Sequence, residues 1–463
     1  MANKSGVSKI GYVLLGVAVC SLLTASLWWA VKRLEGKAPA LRWEGPISAM
    51  GQSYTLRGFA SDQGSGLKRL WIAIVQQGKE IIVFDQTFPS EGFFMGSAVR
   101  KQPVSIDIKA QDLGLSHGEA LLRVALWDHS YRGWGSGNRF YEEQKLVIDT
   151  EPPRIDMITR NHNLNQGGAG LVIYRVSEPV AKSGVQVGEA FFSGSSGLFP
   201  DASVFAGLFA LPHNQGAEAR LFVTATDRAG NTSRSGFVHH INPKTFKQDT
   251  IHISDAFLEK KMPEFEGFLD LRPPAGSLLE TFLAVNTTLR KANHETIKEA
   301  CRDSDTKLHW TGAFLRLPAS ARRAGFADHR VYVYQGQAVD HQVHLGIDLA
   351  STAHSPVPAA NGGRVAFAQE LGIYGQTIVL DHGLGLFSLY GHLSRMGVAK
   401  DQMVSKGEII GATGSTGLAG GDHLHFSMLV HETFVNPVEW WDPAWIRHNI
   451  GDKLAVAPGP IKG

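Results

Sequence analysis

From Ile10 to Val31 no charged residue interrupts the run IGYVLLGVAVCSLLTASLWWAV. Wound as a helix, those residues extend about 33 Å, enough to cross a hydrocarbon core of about 30 Å. Trp28 and Trp29 stand near the far end, where an interfacial aromatic belt would lie. A cleaved signal peptide has a shorter apolar stretch and a small-residue exit, which this segment lacks. Val19 ahead of Cys20 does not suit a lipoprotein signal, and the apolar run continues past it. The pattern predicts a transmembrane helix over residues 10–31. Lys4 and Lys9 on one side nearly balance Lys32, Arg33 and Lys37 on the other, so charge alone does not orient it.

Beyond residue 40 the apolar period falls to two. Leu122-Arg123-Val124-Ala125-Leu126-Trp127 and Leu221-Phe222-Val223-Thr224-Ala225 alternate as half-buried strands do. Each leads into a turn opened by an aspartate, Asp128 and Asp227, 99 positions apart. A unit of about 100 residues built from short strands has the size of an immunoglobulin-like sandwich. Between the two units lies Asp149-Thr150-Glu151-Pro152-Pro153, whose prolines cannot donate to a ladder and suit a joint. These turns and this joint resemble the tandem Ig-like modules of bacterial envelope proteins. Two such β domains are therefore expected, over 40–149 and 150–245. A short helical connector is expected over 246–305: Pro273-Pro274 stops any earlier helix, and Ser277-Leu278-Leu279-Glu280 fits a capping box.

Composition narrows the function classes. A net charge of +2 argues against nucleic acid as the main partner, and two cysteines, Cys20 and Cys301, give neither a disulfide framework nor a thiolate metal site. Glycine, at 51 residues, suits a turn-rich β protein. Of 19 histidines, 11 lie between His309 and His448. Their spacing is more informative than their number. In His344-Leu345-Gly346-Ile347-Asp348, a histidine and a carboxylate can reach one ion if the chain turns between them. In His423-Leu424-His425 on a strand, both imidazoles point to one side while Leu424 and Phe426 face the core. Tyr390-Gly391-His392 follows a strand-like run and a glycine-rich turn. Two histidines and one aspartate would leave one tetrahedral position for water, the pattern of a catalytic zinc rather than a structural one.

Taken together and in this order, the motifs resemble the LytM/lysostaphin-like zinc metallopeptidases, a family of peptidoglycan endopeptidases. The likeness runs from about Phe314 to Trp441. It includes Ser355-Pro-Val-Pro-Ala-Ala-Asn-Gly-Gly, Tyr374-Gly-Gln-Thr-Ile-Val-Leu-Asp-His-Gly, Val404-Ser-Lys-Gly-Glu-Ile-Ile-Gly and Val435-Asn-Pro. The resemblance implies a zinc ion held by His344, Asp348 and His425, with His392 and His423 as catalytic histidines that do not bind it. Ser427 stands where the family often carries Glu, and Asn361 where it often carries Asp. His341, His354, His382 and His431 are expected to be structural.

The implied fold class is mainly β: an N-terminal transmembrane helix, two Ig-like β-sandwiches, a short helical connector and a C-terminal antiparallel β peptidase domain. That domain would occupy 306–447, followed by a tail over 448–463. The implied activity cuts peptide cross-links or stems of peptidoglycan. It places residues 1–9 in the cytoplasm and the bulk of a single-pass inner-membrane protein in the periplasm. The expected partners are peptidoglycan peptides, the cytoplasmic membrane and an envelope protein regulator, with no nucleic acid. The alternative is a non-catalytic envelope regulator that activates another wall hydrolase.

Overall fold

The computed structural model describes residues 9–92, 94–268 and 277–456. The expected break at Pro273-Pro274 and the ends of both termini lie outside the described residues. The helix Lys9–Arg33 contains, within Gly11–Arg33, an 18-residue window of mean hydropathy 1.9 with no buried residue. By length and composition it can cross a bilayer, a property that signal sequences share.

The chain divides into two units: 1–152 with 226–232, and 153–225 with 233–463. In the first, the strands Ala40–Trp43, Ser53–Ser61 and Lys101–Lys109 form a three-stranded antiparallel sheet. A five-stranded sheet is centred on Gly118–Asp128 and Leu67–Gln76. Alternation fills one core from both sheets, with Leu56, Ile106 and Ile108 on one side and Leu70, Ile72, Leu122 and Val124 on the other. The two turn-opening aspartates have a common physical task. Asp128 Oδ1 accepts from the Ser130 and Asn138 amides, and Asp227 accepts from the Asn231 amide and Nδ2. Both carboxylates are buried, so the loop must satisfy them and is held tight by doing so.

In the second unit, the strands Ala169–Val176 and Val180–Val187 belong to two four-stranded sheets whose apolar faces share a core with the C-terminal domain. That domain is built on one antiparallel sheet. Its strands run in the order Ala321–Ala324, Ile347–Ala350, Leu424–Val430, Leu386–Leu393, Gln376–Gly383, Gly363–Glu370 and Met403–Val404, with Thr433–Val435 paired to Leu424–Val430. The strand that comes late in the sequence, Leu424–Val430, therefore lies near the centre and is buried along its whole length.

The expected helical connector needs correction. It opens with a strand, Gln248–Ile253, that pairs in parallel with Asp328–Tyr334 over six residue pairs. Only afterwards come the helices Asp255–Lys261, Leu278–Ala284 and Arg290–Ala300, the last two joined by a π turn, Val285–Leu289. Alternating Ile251 and Ile253 with polar neighbours gave this stretch a strand period that its short length concealed. Ser277 caps as expected, accepting from the Glu280 amide. The segment after 447 is likewise not a loose tail as far as Val456. It is helical, with Ile450 and Leu454 buried.

Glu439 joins the C-terminal domain to the preceding β domain. Its carboxylate accepts from Asn165 Nδ2 at 2.6 Å and from the Ala169 amide at 2.9 Å. Burial raises its pKa from 4.5 to about 7, against those two hydrogen bonds. Since the folded value exceeds the unfolded one, its stabilising contribution is present below pH 4.5 and is lost as pH rises through about 7. A Glu439→Gln protein carries no such titration. The unfolding free energy of wild type minus that of Glu439→Gln should fall by on the order of 3 kcal/mol across this range. Denaturant titrations of the two proteins at several pH values measure it.

Candidate metal and catalytic site

Cross-strand pairing assembles the site. Asp348 on Ile347–Ala350 lies directly opposite His425 on Leu424–Val430, and Gly391 flanks His425 from the other side. His344 ends the strand Gln337–His344, and the chain turns through Leu345 and Gly346 to reach Asp348. Gly346 is needed there for space rather than for a left-handed conformation, because a Cβ would fall 2.5 Å from His425 Nε2.

The three side chains converge. His344 Nε2 is 3.0 Å from Asp348 Oδ1 and 3.1 Å from His425 Nδ1, and His425 Nδ1 is 3.0 Å from the same carboxylate oxygen. The outward atoms decide the protons. His344 Nδ1 lies 2.8 Å from the Gly325 carbonyl, which can only accept, so Nδ1 carries a hydrogen. Ser427 Oγ donates to the Leu345 carbonyl at 2.8 Å and accepts from His425 Nε2 at 3.0 Å. Burial holds the His425 pKa down to about 4, so that ring keeps a single proton, on Nε2. When each ring carries one proton, Nε2 of His344 and Nδ1 of His425 present lone pairs toward a carboxylate oxygen. Arg330 Nη2 holds the second oxygen of that carboxylate at 3.0 Å.

Three acceptors at this spacing repel unless a cation lies among them. A tetrahedral ion with bonds of about 2 Å sets its ligands about 3.3 Å apart, close to the separations found. The donor set of two imidazoles and a carboxylate therefore fits a divalent metal, and its outer hydrogen bonds are of the kind that orient metal ligands.

His392 and His423 stand beside this triad, ring centroids 4.8 Å apart. A bulge in the pairing of Gln376–Gly383 with Leu386–Leu393 sets His392 at φ +61°, a left-handed conformation costly for a non-glycine residue. His392 Nδ1 donates to the Thr416 carbonyl and His423 Nδ1 to the Gly421 carbonyl, both at 2.8 Å. Both rings therefore keep Nε2 for chemistry, and that of His423 lies 3.6 Å from Asp348 Oδ1. Burial, with His423 and His425 adjacent, lowers the His392 pKa well below its usual value. For His423 burial acts the same way, but the Asp348 carboxylate outweighs it and raises the pKa.

All five residues singled out in the sequence meet here. The Tyr390 ring packs on Phe426, and its hydroxyl accepts from the Ala360 amide. His382 is enclosed between Gly362 and Ser388, a structural histidine. Sequence reasoning missed Arg330 and the role of Tyr374, whose ring lies edge-on 5.4 Å from His425. It also missed the wall built by the connector. Ile251, Ile253, Phe257, Phe282 and Arg290 line, with the triad, a cavity of about 460 Å³. Lys261 fixes this wall, donating to the Ser415 and Gly417 carbonyls on either side of Thr416. No short motif marks such residues, because their contacts are made across the fold.

Residues 342–437 match the model of Peptidase family M23. The C-terminal domain is thus an M23 peptidase domain of the LytM type, and the five residues lie within the match. Among proteins of known name, it is similar to the DD-carboxypeptidase/endopeptidase Mpg of Neisseria meningitidis serogroup B, at 39% identity over 97 residues, 21% of this chain and 22% of that one. It is also similar to the peptidoglycan DD-endopeptidase ShyA of Vibrio cholerae, at 31% identity over 130 residues, 27% of this chain and 30% of that one. The likeness thus spans less than a third of either relative. Among solved structures, the catalytic domain of lysostaphin from Staphylococcus simulans aligns at 27% identity with a TM-score of 0.25, covering 28% of this chain and 98% of that one.

If Ser427 fixes the His425 tautomer, Ser427→Ala should weaken divalent-metal binding by about 10–100-fold, the usual effect of losing such an outer hydrogen bond. His425→Ala should abolish it. Competition against a chromogenic chelator measures both.

Proposed function

We propose that this chain is a membrane-anchored zinc metalloendopeptidase that hydrolyses peptide cross-links or stems of peptidoglycan. The observation that carries the reading is the triad of His344, Asp348 and His425, whose ligand atoms converge within about 3 Å, with two imidazole Nε2 atoms alongside. Zinc fits this donor set and, when bound, supplies Lewis acidity and lowers the pKa of water toward about 7. The helix Lys9–Arg33 is the anchor, holding the domains on the periplasmic side of the inner membrane.

The protein's own groups do the rest. His344, Asp348 and His425 hold the ion, with Ser427, Arg330 and the Gly325 carbonyl fixing their orientation. His392 and His423 divide two tasks between them: taking a proton from the attacking water and donating a hydrogen bond to the developing oxyanion. Their tethered Nδ1 atoms keep both rings aimed into the cavity. The proton taken from water passes to the departing nitrogen, so that an amide and water become a carboxylic acid and an amine. The apolar connector wall excludes bulk water from one side of the cleft.

The test incubates purified protein with peptidoglycan sacculi, with zinc or with chelator, and reads released fragments by mass. Peptide-cleaved fragments should appear with zinc and vanish with chelator. His423→Ala should retain metal yet lose at least about 100-fold in rate. Unit metal stoichiometry without any release would point to the non-catalytic regulator instead.

A further inference from the structure

The peptidase chemistry leaves unused the place where the apolar helix Lys9–Arg33 meets the first β domain. About 20 helical residues cross a hydrocarbon core, so a span counted from Ile10 ends near Trp29. The polar interfacial layer beyond the core is about 5–7 Å deep on each side. Arg33 stands about 6 Å further along the helix axis than Trp29. Parts of the domain that touch Trp29 and Arg33 therefore stand at headgroup level.

Two loops do so. In the loop over 130–138, the Tyr131 ring lies 6.0 Å from that of Trp29 and 4.3 Å from the Arg33 guanidinium carbon. The Tyr131 amide donates to the Arg33 carbonyl at 2.6 Å. Ser130 Oγ and Asn138 Nδ2 donate to the Glu35 carbonyl at 2.9 and 3.0 Å. In the second loop, a Cβ on Gly96 would fall 2.5 Å from Arg33 Nη1.

Both loops carry exposed apolar side chains. Trp134 is fully exposed, and Phe94 and Met95, just ahead of Gly96, are more than half exposed. Gly133 and Trp134 are both left-handed, at φ +63° and +59°. A bulky residue rarely adopts that conformation, and strained positions of this kind cluster at functional sites. The loop is tied on both sides of the indole. Lys68 Nζ donates to the Gly135 carbonyl at 3.1 Å, and the Tyr131 carbonyl accepts from the Gly135 amide at 3.1 Å. Charge follows the same pattern. Exposed Lys32 and Lys37 flank the docked segment, Arg132 lies against Gly36, and the Glu35 carboxylate accepts from the Ser65 amide. Among the described residues, Glu91 is the one exposed carboxylate on the two loops.

A rim of indole, phenyl and thioether groups with a cationic fringe fits a bilayer surface. There aromatic rings settle among the headgroups, and lysine and arginine meet anionic lipid. We propose that Trp134, Phe94 and Met95 form a lipid-docking surface that lays the first β domain on the membrane around the foot of its own helix. This surface presupposes the membrane helix proposed above and is independent of the peptidase activity.

The test uses the full-length chain in vesicles of phosphatidylethanolamine and phosphatidylglycerol whose acyl chains carry bromine, a fluorescence quencher. In a Cys20→Ala background, Cys301 being buried, a fluorophore is attached after Trp134→Cys, Met95→Cys, Leu22→Cys or Lys79→Cys. Leu22 lies within the helix. Lys79 is exposed and pairs with Gln76, at the opposite end of the strand Leu67–Gln76 from Gly66, about 30 Å along it. Labels at positions 134 and 95 should lose most of their fluorescence, as the label at 22 does, while the label at 79 keeps it. Quenching at either loop beyond that at 79 supports the docking surface. If both loops match position 79 while 22 is quenched, the surface is overturned and the anchor stands. If 22 is not quenched, the anchor reading fails and the docking surface falls with it.

Discussion

Two imidazole nitrogens and a carboxylate oxygen lie about 3 Å apart, and much of the C-terminal domain holds them there. Left alone, such a cluster would relax by protonation or by rotation of a ring. Outer hydrogen bonds oppose the second. The Gly325 carbonyl and the Ser427 hydroxyl fix which nitrogen of each ring carries hydrogen, and Arg330 pins the far carboxylate oxygen. Backbone register keeps Asp348 opposite His425, and Gly346 leaves room for the imidazole edge. A cation is the remaining way to satisfy the three electron pairs. The site is thereby organised before the ion arrives.

The same reasoning separates what the sequence made legible from what it did not. His344, Asp348, His392, His423 and His425 could be read because each sits in a short motif whose spacing follows a local period. The strand alternation that sends His423 and His425 to one side is itself written in the residues, with Leu424 and Phe426 buried behind. The need for Gly346 was not legible, since it comes from crowding by His425 on another strand. Gln248–Ile253 was hidden because six residues ahead of a helix carry too few periods to distinguish a strand from a linker. Arg330 was hidden more completely. Its meaning lies in Asp348, 18 positions away, and no local pattern encodes such a distance.

The connector changes how the cleft should be pictured. The M23 match ends the domain's recognisable part at its own sheet, but one wall of the cavity is made by residues that precede it by up to about 90 positions. That wall is both tied and strained for position: a parallel strand pairing, a lysine on two carbonyls and a buried asparagine relay all act on it. Selectivity can therefore vary between proteins sharing the same catalytic residues, since the segment that shapes the cleft is free to differ.

The position of Leu424–Val430 in its sheet has a consequence for the timing of synthesis. This strand carries His425, lies between Ile347–Ala350 and Leu386–Leu393, and is synthesised after both of them. Until it inserts, the sheet is split into two halves and Asp348 has no imidazole opposite it. A nascent chain that has not yet reached this strand thus cannot bring His344, Asp348 and His425 together.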